Sequence, residues 1–524
     1  MRWVLHSAAT VWIFAHGENM LLEKIIEQGG RQASRLAILD DQRSITFRRL
    51  VLGADIMAGH IDRIVGDDDK VGLLLPQSSA FAAAFLGTRW SDRTAVPLNY
   101  LLRPPELIAI CRDAGLTTVF TIRFFQNSAT ALQEAGVRTV FMEDLSFSSP
   151  LIGLSRLTGF KRRLPAYRPE KIAAIIYTSG TSGEPKGVML TDHNLDSNAA
   201  AAIEHARFDQ RMTFLGVLPM FHALGIMSCF LVPLSLGCTV VYQARLNPAG
   251  IFQAIQKHKI EVLVAVPSMY ALLANVKNAG HAALASVRYA VSGGEPLPRS
   301  LCECFQRQFG ITLLEGFGLT ETSPMVSFSV PWANKSGSVG KPLPRVQLRI
   351  VDDGGHTLGP NQDGELWIKG PSVMKGYYRR PAETAQVLTT DGWLKTGDIA
   401  RIDDEGFLFI TGRKKEMINM AGEKIAPGEI EEAIRRHPAV LLAAVIGVKD
   451  AQRGEVPVAF IQLAPALEEK PTAQDIRIFL RQRLAPYKTP RDVYFIEEMP
   501  RLPTGKIIKR ALSIPQPSPL SEPV

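Results

Sequence analysis

The run YTSGTSGEPKG at residues 177–187 gathers three glycines, two threonines and two serines around Lys186, directly after the apolar run Ile172–Ile176. A strand, then a loop of small residues, then a lysine is how a chain wraps backbone N–H groups around phosphate oxygens. Glycines allow close approach, hydroxyls donate hydrogen bonds, and the ammonium neutralises charge. The run is not a P-loop of the GxxxxGK[ST] type, because Lys186 is followed by Gly187 and the glycine spacing differs. A flexible surface loop is the alternative that the pattern by itself leaves open.

Further motifs follow in order: LPMFHALG at 218–225, SGGEPLP at 292–298, EGFGLTETSP at 315–324, GELWIKGPSVMKGYY at 364–378, DGWLKTGDIA at 391–400, GRKKEMINMAGEKIAPGEIEEAI at 412–434 and PRLPTGKIIKR at 500–510. Together with the 177–187 run, this series resembles the adenylate-forming enzymes: acyl-CoA synthetases, aryl-CoA ligases, firefly-type luciferases and peptide-synthetase adenylation domains. The likeness spans about Leu22 to Arg510 and is nearest to the fatty acyl-CoA synthetases.

The resemblance implies a two-step reaction. A carboxylate attacks the α-phosphate of ATP, giving acyl-AMP and pyrophosphate; a thiol then attacks the activated carbonyl. Repulsion between anions limits the first step, so cations and N–H donors are needed at the triphosphate. Thr178, Ser179, Gly180, Thr181 and Lys186 match the family's phosphate loop. Thr320 and Glu321 resemble the pair that contacts the α-phosphate and helps hold Mg²⁺, for which one carboxylate suffices when phosphates complete the shell. Phe317 and Gly318, with Gly294, Glu295 and Pro296 of the Ser292–Pro296 turn, resemble the adenine and acyl border. A core phenylalanine and an ordinary tight turn are the structural alternatives. Asp398 and Arg413 resemble the ribose-binding pair, and either could equally be half of a surface ion pair. Lys506 in PTGK resembles the catalytic lysine that closes over the α-phosphate. Lys415 matches the hinge about which the second domain turns, and Gly422 the wall of the pantetheine tunnel that this rotation delivers. His222 resembles an aromatic or histidine beside the carboxylate pocket, although a lone histidine in an apolar run is often structural.

Acetate-selective relatives block the acyl tunnel with a tryptophan in the EGFGLTET region, where Gly316 and Gly318 are expected to leave space here. Ala223, Gly225, Met227 and the segment 264–269, Met269 included, are expected to line an apolar channel. The aspartate by which amino-acid activators hold an ammonium is missing near Pro219–His222. These features favour a medium- to long-chain fatty acid over an aryl acid.

The elements that must position these residues are legible in outline. At 524 residues the chain exceeds the size of one growing core, so at least two domains are expected. Apolar runs of strand length (Val71–Leu75, Thr139–Met142, Ile172–Tyr177, Thr239–Tyr242, Val262–Val266) alternate with helical patterns such as Ala80–Trp90 and Asn194–Arg207, the latter with Thr191 and Asp192 as candidate caps. This alternation predicts an α/β fold, a large N-terminal layered domain whose texture turns β-rich near 346–353 and 364–369. A small, mobile α+β C-terminal domain completes the adenylate-forming fold that the resemblance implies. The boundaries are set at 20–411 for the large domain, 412–415 for the hinge, 416–512 for the small domain and 513–524 for a disordered tail. Residues 1–19 read as an over-extended start, with Met20 as initiator, against the alternative of a weak signal peptide. The long apolar stretch 214–241 is broken by Pro219, His222, Gly225, Pro233 and Gly237, so it reads as a buried helix flanked by strands. In TRWSDRTAVPL (88–98) the chain departs from relatives that often carry a glycine turn.

The net charge of +8 suits ATP and CoA and is compatible with peripheral contact at anionic membranes, while no arginine-rich tract with interleaved aromatics argues for nucleic acid. Five cysteines without CxxC or Cys/His metal spacing fit a reduced, cytoplasmic setting. The expected activity is ATP- and Mg²⁺-dependent acid–thiol ligation with CoA as co-substrate. Transfer to the phosphopantetheine of a carrier protein shares every adenylation residue, and a non-catalytic nucleotide-binding protein is the alternative of a different class.

Overall fold

The structure is a computed structural model that describes residues 21–41, 43–146, 163–179, 185–243, 247–276, 279–421, 423–450, 453–465, 467, 469–501 and 507–514. Gly180, Thr181, Gly422 and Lys506 lie outside the described residues, as do the expectations for 1–19 and most of the tail; the side chain of Ser179 is likewise not described.

Two large sheets form the N-terminal part. One runs, edge to edge, through Lys341–Pro342, Met325–Phe328, Leu314–Gly318, Tyr289–Ser292, Val262–Ala265, Thr213–Gly216, Thr239–Tyr242, Leu36–Leu39 and Ser44–Thr46. The other runs through Gly376–Tyr377, Pro185–Thr191, Ile172–Ser179, Thr94–Pro97, Lys70–Leu74, Thr118–Thr121 and Arg138–Phe141. Their central strands pair in parallel, which requires crossovers and buries both faces. That is why they read in the sequence as short unbroken apolar runs rather than as alternations. A four-stranded antiparallel sheet (Gln347–Val351, Gly364–Lys369, Leu394–Ile402, Leu408–Arg413) supplies the β-rich part. After Arg413 the chain passes through a short turn, Lys414–Glu416, into a separate sheet of five strands with its own apolar core around Ile430, Ile434, Val445 and Leu480. The layered α/β expectation holds.

The apolar stretch at 214–241 folds as strand, helix and strand: Thr213–Gly216, a helical run from Ala223 to Leu236, and Thr239–Tyr242. A π-helical turn, Met227–Leu231, interrupts the helix. Phe230 on that turn packs edge-on against Phe81 and Phe85 of the Ser79–Trp90 helix, at centroid distances of 6.1 and 5.4 Å. These rings lock the helix over the sheet. Among the described residues no helix is long and apolar enough to cross a membrane.

Two local expectations resolve differently. Thr191 caps the Asp192–Ala206 helix, its hydroxyl accepting from Asn194 N, but Asp192 is no cap. Its carboxylate instead meets Arg89 at 2.7 Å in a nearly closed environment. In the 88–98 departure, Asp92 takes φ 58°, so an aspartate fills the left-handed position for which glycine is the usual choice.

Candidate active site

Parallel strands deliver their following loops to one edge of a sheet, and ligands bind there. The strand Thr213–Gly216 leads to His222, Val262–Ala265 to Met269, Tyr289–Ser292 to Gly294, Glu295 and Pro296, and Leu314–Gly318 to Thr320 and Glu321. From the second sheet, Ile172–Ser179 and Pro185–Thr191 bring Thr178 and Lys186. All these loops open on one cleft of about 3740 Å³. That volume is several times a small-molecule pocket of roughly 300–1,000 Å³, so it has room for more than one ligand. Of the residues singled out in the sequence, Thr178, Lys186, His222, Ala223, Gly225, Met269, Gly294, Glu295, Pro296, Gly316, Phe317, Gly318, Thr320, Glu321, Asp398, Arg413 and Lys415 line it, whereas Met227, expected in the channel, is buried in the apolar core instead.

The geometry adds partners that the sequence did not name. Glu321 accepts a hydrogen bond from the Tyr377 hydroxyl at 2.8 Å, and its carbonyl accepts from Met374 N. Lys186 forms an ion pair with Glu383 and lies 5.3 Å from the centre of the Tyr377 ring. Asp398 and Arg413 stand opposite each other on neighbouring strands, with Oδ1 to Nε at 2.7 Å. The Asp398 side chain is almost fully enclosed, whereas Arg413 reaches solvent. Glu315 receives Leu297 N at 3.1 Å and so ties the Leu314–Gly318 strand to the glycine turn, where Gly294 has φ 85°. Burial raises the Glu315 pKa to about 7 against that hydrogen bond, helped by the negative charge of Glu432 on the C-terminal unit.

Two asparagines one helical turn apart carry the scaffolding. Asn198 donates to the carbonyls of Thr322 and Met325 and accepts from Met325 N. Asn194 donates to the carbonyls of Pro371 and Val373, both at 2.8 Å. One helix therefore positions the Glu321 turn and the segment that leads to Tyr377. A signal was present in the sequence, since two asparagines at i and i+4 inside a helix are poor helix formers that need a reason to be there.

The reading that Gly316 and Gly318 leave space for the acyl chain is corrected. A Cβ on Gly318 would lie 2.1 Å from the Pro324 carbonyl oxygen, and one on Gly316 2.9 Å from Phe328 Cβ. Close backbone packing against the next strand requires both glycines. Gly225 is fixed in the same way, because its Cβ would lie 2.1 Å from the Pro219 carbonyl oxygen. The lining of the cleft also includes the uncharged residues Ala202, Phe208, Phe214, Leu224, Ser228 and Val232. The Ser228 hydroxyl is turned back onto the Leu224 carbonyl at 2.6 Å. His222 lines the same cleft. Its Nε2 is enclosed with no hydrogen-bond partner among the described residues, and burial lowers the pKa to about 4, so the ring is neutral near pH 7.

From the C-terminal unit, Arg501 and Ile507 pair with each other and line the cleft. Among the described residues no group of three His, Cys, Asp or Glu could hold a metal ion by itself. A hard divalent cation that arrives with phosphate oxygens needs only the Glu321 carboxylate, and the residues present fit that case.

Family models match the chain over residues 25–378 as an AMP-binding enzyme and over 429–506 as the AMP-binding enzyme C-terminal domain. The chain belongs to the AMP-binding, adenylate-forming enzymes. Within that family it is an ATP-dependent, AMP-forming acid–CoA ligase. It is 31% identical to a long-chain-fatty-acid–CoA ligase of Bacillus subtilis, over 94% of each chain. It is 34% identical to a sulfoacetate–CoA ligase of Cupriavidus necator (89% of this chain, 92% of the relative) and 32% identical to a 4-coumarate–CoA ligase of Pinus taeda (84% of each). Its fold matches the O-succinylbenzoate coenzyme A synthetase of Bacillus subtilis solved with ATP and magnesium ion, with a TM-score of 0.81 at 27% identity over 93% of this chain and 98% of that one. The ligase therefore has relatives that activate quite different acids at similar identity.

Proposed function

We propose that the ligase converts a medium- to long-chain fatty acid to its CoA thioester through the acyl-adenylate. A set of uncharged lining residues carries this reading: Ala202, Phe208, Phe214, Leu224 and Val232 are apolar, and the Ser228 hydroxyl is already bonded to the Leu224 carbonyl. An extended alkyl chain would gain roughly 0.8 kcal/mol for each CH₂ it buries.

In this reading Thr178 and Lys186 meet the triphosphate, Phe317 and the Gly294–Pro296 turn border the adenine, and Asp398 with Arg413 holds the ribose hydroxyls. Buried carboxylates make strong acceptors, and Asp398 is enclosed, lines the cleft and pairs with Arg413 on the neighbouring strand. Neutral His222 can donate to the acyl carboxylate without adding a charge that would have to be desolvated. Mg²⁺ bound with ATP would be held by Glu321 and would neutralise phosphate charge. Lys506 supplies the cation at the reacting carboxylate and α-phosphate, and rotation about Lys415 then brings the 421–427 segment, Gly422 included, to the same place for attack by the CoA thiol.

The test is pyrophosphate release with ATP and Mg²⁺ over straight-chain acids of graded length, with acetate, sulfoacetate and 4-coumarate as comparators, each with and without CoA or a phosphopantetheinyl carrier protein. Activity should rise with chain length to a plateau and yield acyl-CoA. A preference for 4-coumarate would assign the acid site, in a cleft lined also by Phe208 and Phe214, to an aryl acid instead.

A further inference from the structure

Lys186 is already engaged before any phosphate arrives. Its ammonium is paired with one carboxylate oxygen of Glu383. Glu383 lies in the first turn of the Pro381–Val387 helix, whose placement relative to Lys186 is fixed. The strand Gly376–Tyr377 pairs with Val188 and Met189 of the Lys186 strand, and Tyr377 N donates to Thr384 Oγ1 at 2.9 Å. The second oxygen of Glu383 faces Arg380 Nε at 3.6 Å, and Arg380 also reaches Asp113 at 3.3 Å. Tyr377 joins the two sides, with its ring face towards the Lys186 ammonium and its hydroxyl on Glu321.

A carboxylate seated on a phosphate-binding ammonium competes with phosphate for the same donor. The exchange is easy in both directions here. Glu383 keeps Arg380 on its other oxygen when Lys186 leaves, so no buried charge is left unpaired. The Tyr377 ring keeps the ammonium near the site during the exchange. The pair is also partly open to water, with 22% and 32% of the side chains exposed, so its strength is modest.

We propose that Glu383 is a positioning residue that competes with pyrophosphate for Lys186. The lysine passes to the triphosphate when ATP binds and returns to Glu383 once acyl-adenylate has formed, which speeds departure of pyrophosphate. Adenylate formation is reversible as long as pyrophosphate stays bound, so a competitor built into the wall draws the reaction towards the thiol step. This inference rests on the reading of Lys186 as a phosphate-binding cation.

The experiment is calorimetric binding of Mg-pyrophosphate to the full-length protein and to Glu383→Gln, Lys186→Gln and the double variant, with rapid-quench measurement of pyrophosphate release. Glu383→Gln should bind pyrophosphate about three- to tenfold more tightly and release it more slowly by a similar factor. Glu383→Asp, which keeps the charge, should move back towards wild type. Lys186→Gln should weaken binding, and in that background Glu383→Gln should have no further effect. If Lys186→Gln left pyrophosphate affinity unchanged, the phosphate reading of Lys186 would fall. If Lys186→Gln weakened binding while Glu383→Gln did not tighten it, that reading would stand and the competitor role would be overturned. Equal tightening by Glu383→Gln with and without Lys186 would also overturn it, because the carboxylate would then act only through its general negative field.

Discussion

Glu315 shows how a single side chain can couple the nucleotide cleft to pH. Folding encloses its carboxyl beside the glycine turn, and its pKa rises from 4.5 to about 7. Between those values the unfolded chain has released the proton while the native chain still holds it. Stability associated with this group is therefore full below about pH 4.5 and lost by about pH 7, a change of roughly 3 kcal/mol at 1.36 kcal/mol per unit. Glu315→Gln keeps the acceptor for Leu297 N and removes the titration. Denaturant unfolding from pH 5 to 8 should show the variant gaining on the wild type as pH rises. A difference that stays constant over this range would mean that the native carboxyl ionises normally. Asp398 makes a different prediction, because its partner Arg413 is 46% exposed and can rehydrate when the carboxylate is lost. Asp398→Ala should raise the KM for ATP by roughly ten- to a hundredfold, at about 1.4 kcal/mol per factor of ten, while leaving the KM for the acid nearly unchanged. Steady-state kinetics with each substrate varied in turn separates the two.

At the scale of elements, the Asp192–Ala206 helix is the beam on which the Glu321 turn hangs. Asn198 makes three hydrogen bonds to that turn from a fully buried position. Asn198→Ala would strand two carbonyls and one N–H, each worth roughly 1–3 kcal/mol when left unsatisfied, although local relaxation offsets part of the sum. The expected loss is about 2–4 kcal/mol in stability, with a fall in kcat larger than that of the conservative Asn198→Asp, which keeps the acceptor. Thermal melts and kcat measured on both variants test this. Gly318 gives a second element-scale test. A methyl placed 2.1 Å from the Pro324 carbonyl oxygen forces the Leu314–Gly318 strand away from its neighbour. Gly318→Ala should therefore destabilise the fold by roughly 1–3 kcal/mol and impair activation of every acid alike. If it acted instead as a plug in the acyl channel, short acids would be spared, and the acid-length profile would show it.

At the scale of the whole molecule, two units share one cleft. The five-stranded unit presents Arg501, Ile507 and Lys509 to it, and Lys509 is anchored within that unit to Glu416 at 2.7 Å and Glu431 at 2.9 Å. Burial opposes the Lys509 charge, but these two carboxylates outweigh it and its pKa is raised. The chain crosses between the units in the Lys414–Glu416 turn, where Lys414 is held to the large unit by Glu365 at 3.0 Å and Asp353 at 3.5 Å. Lys415 follows in the same turn. Lys506→Ala should slow acyl-AMP formation by on the order of a hundredfold or more while sparing thioester formation from supplied acyl-AMP. Lys415→Pro should do the reverse, since a fixed φ restricts the turn between the units. Single-turnover kinetics on each half-reaction reads both variants, and equal slowing of both halves by Lys506→Ala would refute alternation of the domains.

The sequence by itself determined the alternating α/β layering, because strands buried on both faces must be short apolar runs and helices between them must show their own period. It also marked a further change of texture near Gly412 and picked out a set of the cleft residues, because small and charged residues cluster in loops that follow strands. Tertiary structure decided what each of those residues touches. Glu383 is nearly two hundred positions from Lys186 and carries no local signature; only the pairing of the Gly376–Tyr377 strand with Val188 and Met189 brings the two charges together. Asn194 and Asn198 read as weak helix residues until the loops they hold are seen. Gly316 and Gly318 are the sharpest case. Glycine in a sequence reports that a side chain is missing, but not whether open volume or a neighbouring backbone fills the place. Here the neighbouring strand fills it, and the open volume of the cleft is assembled from elements far apart along the chain, which no local pattern encodes.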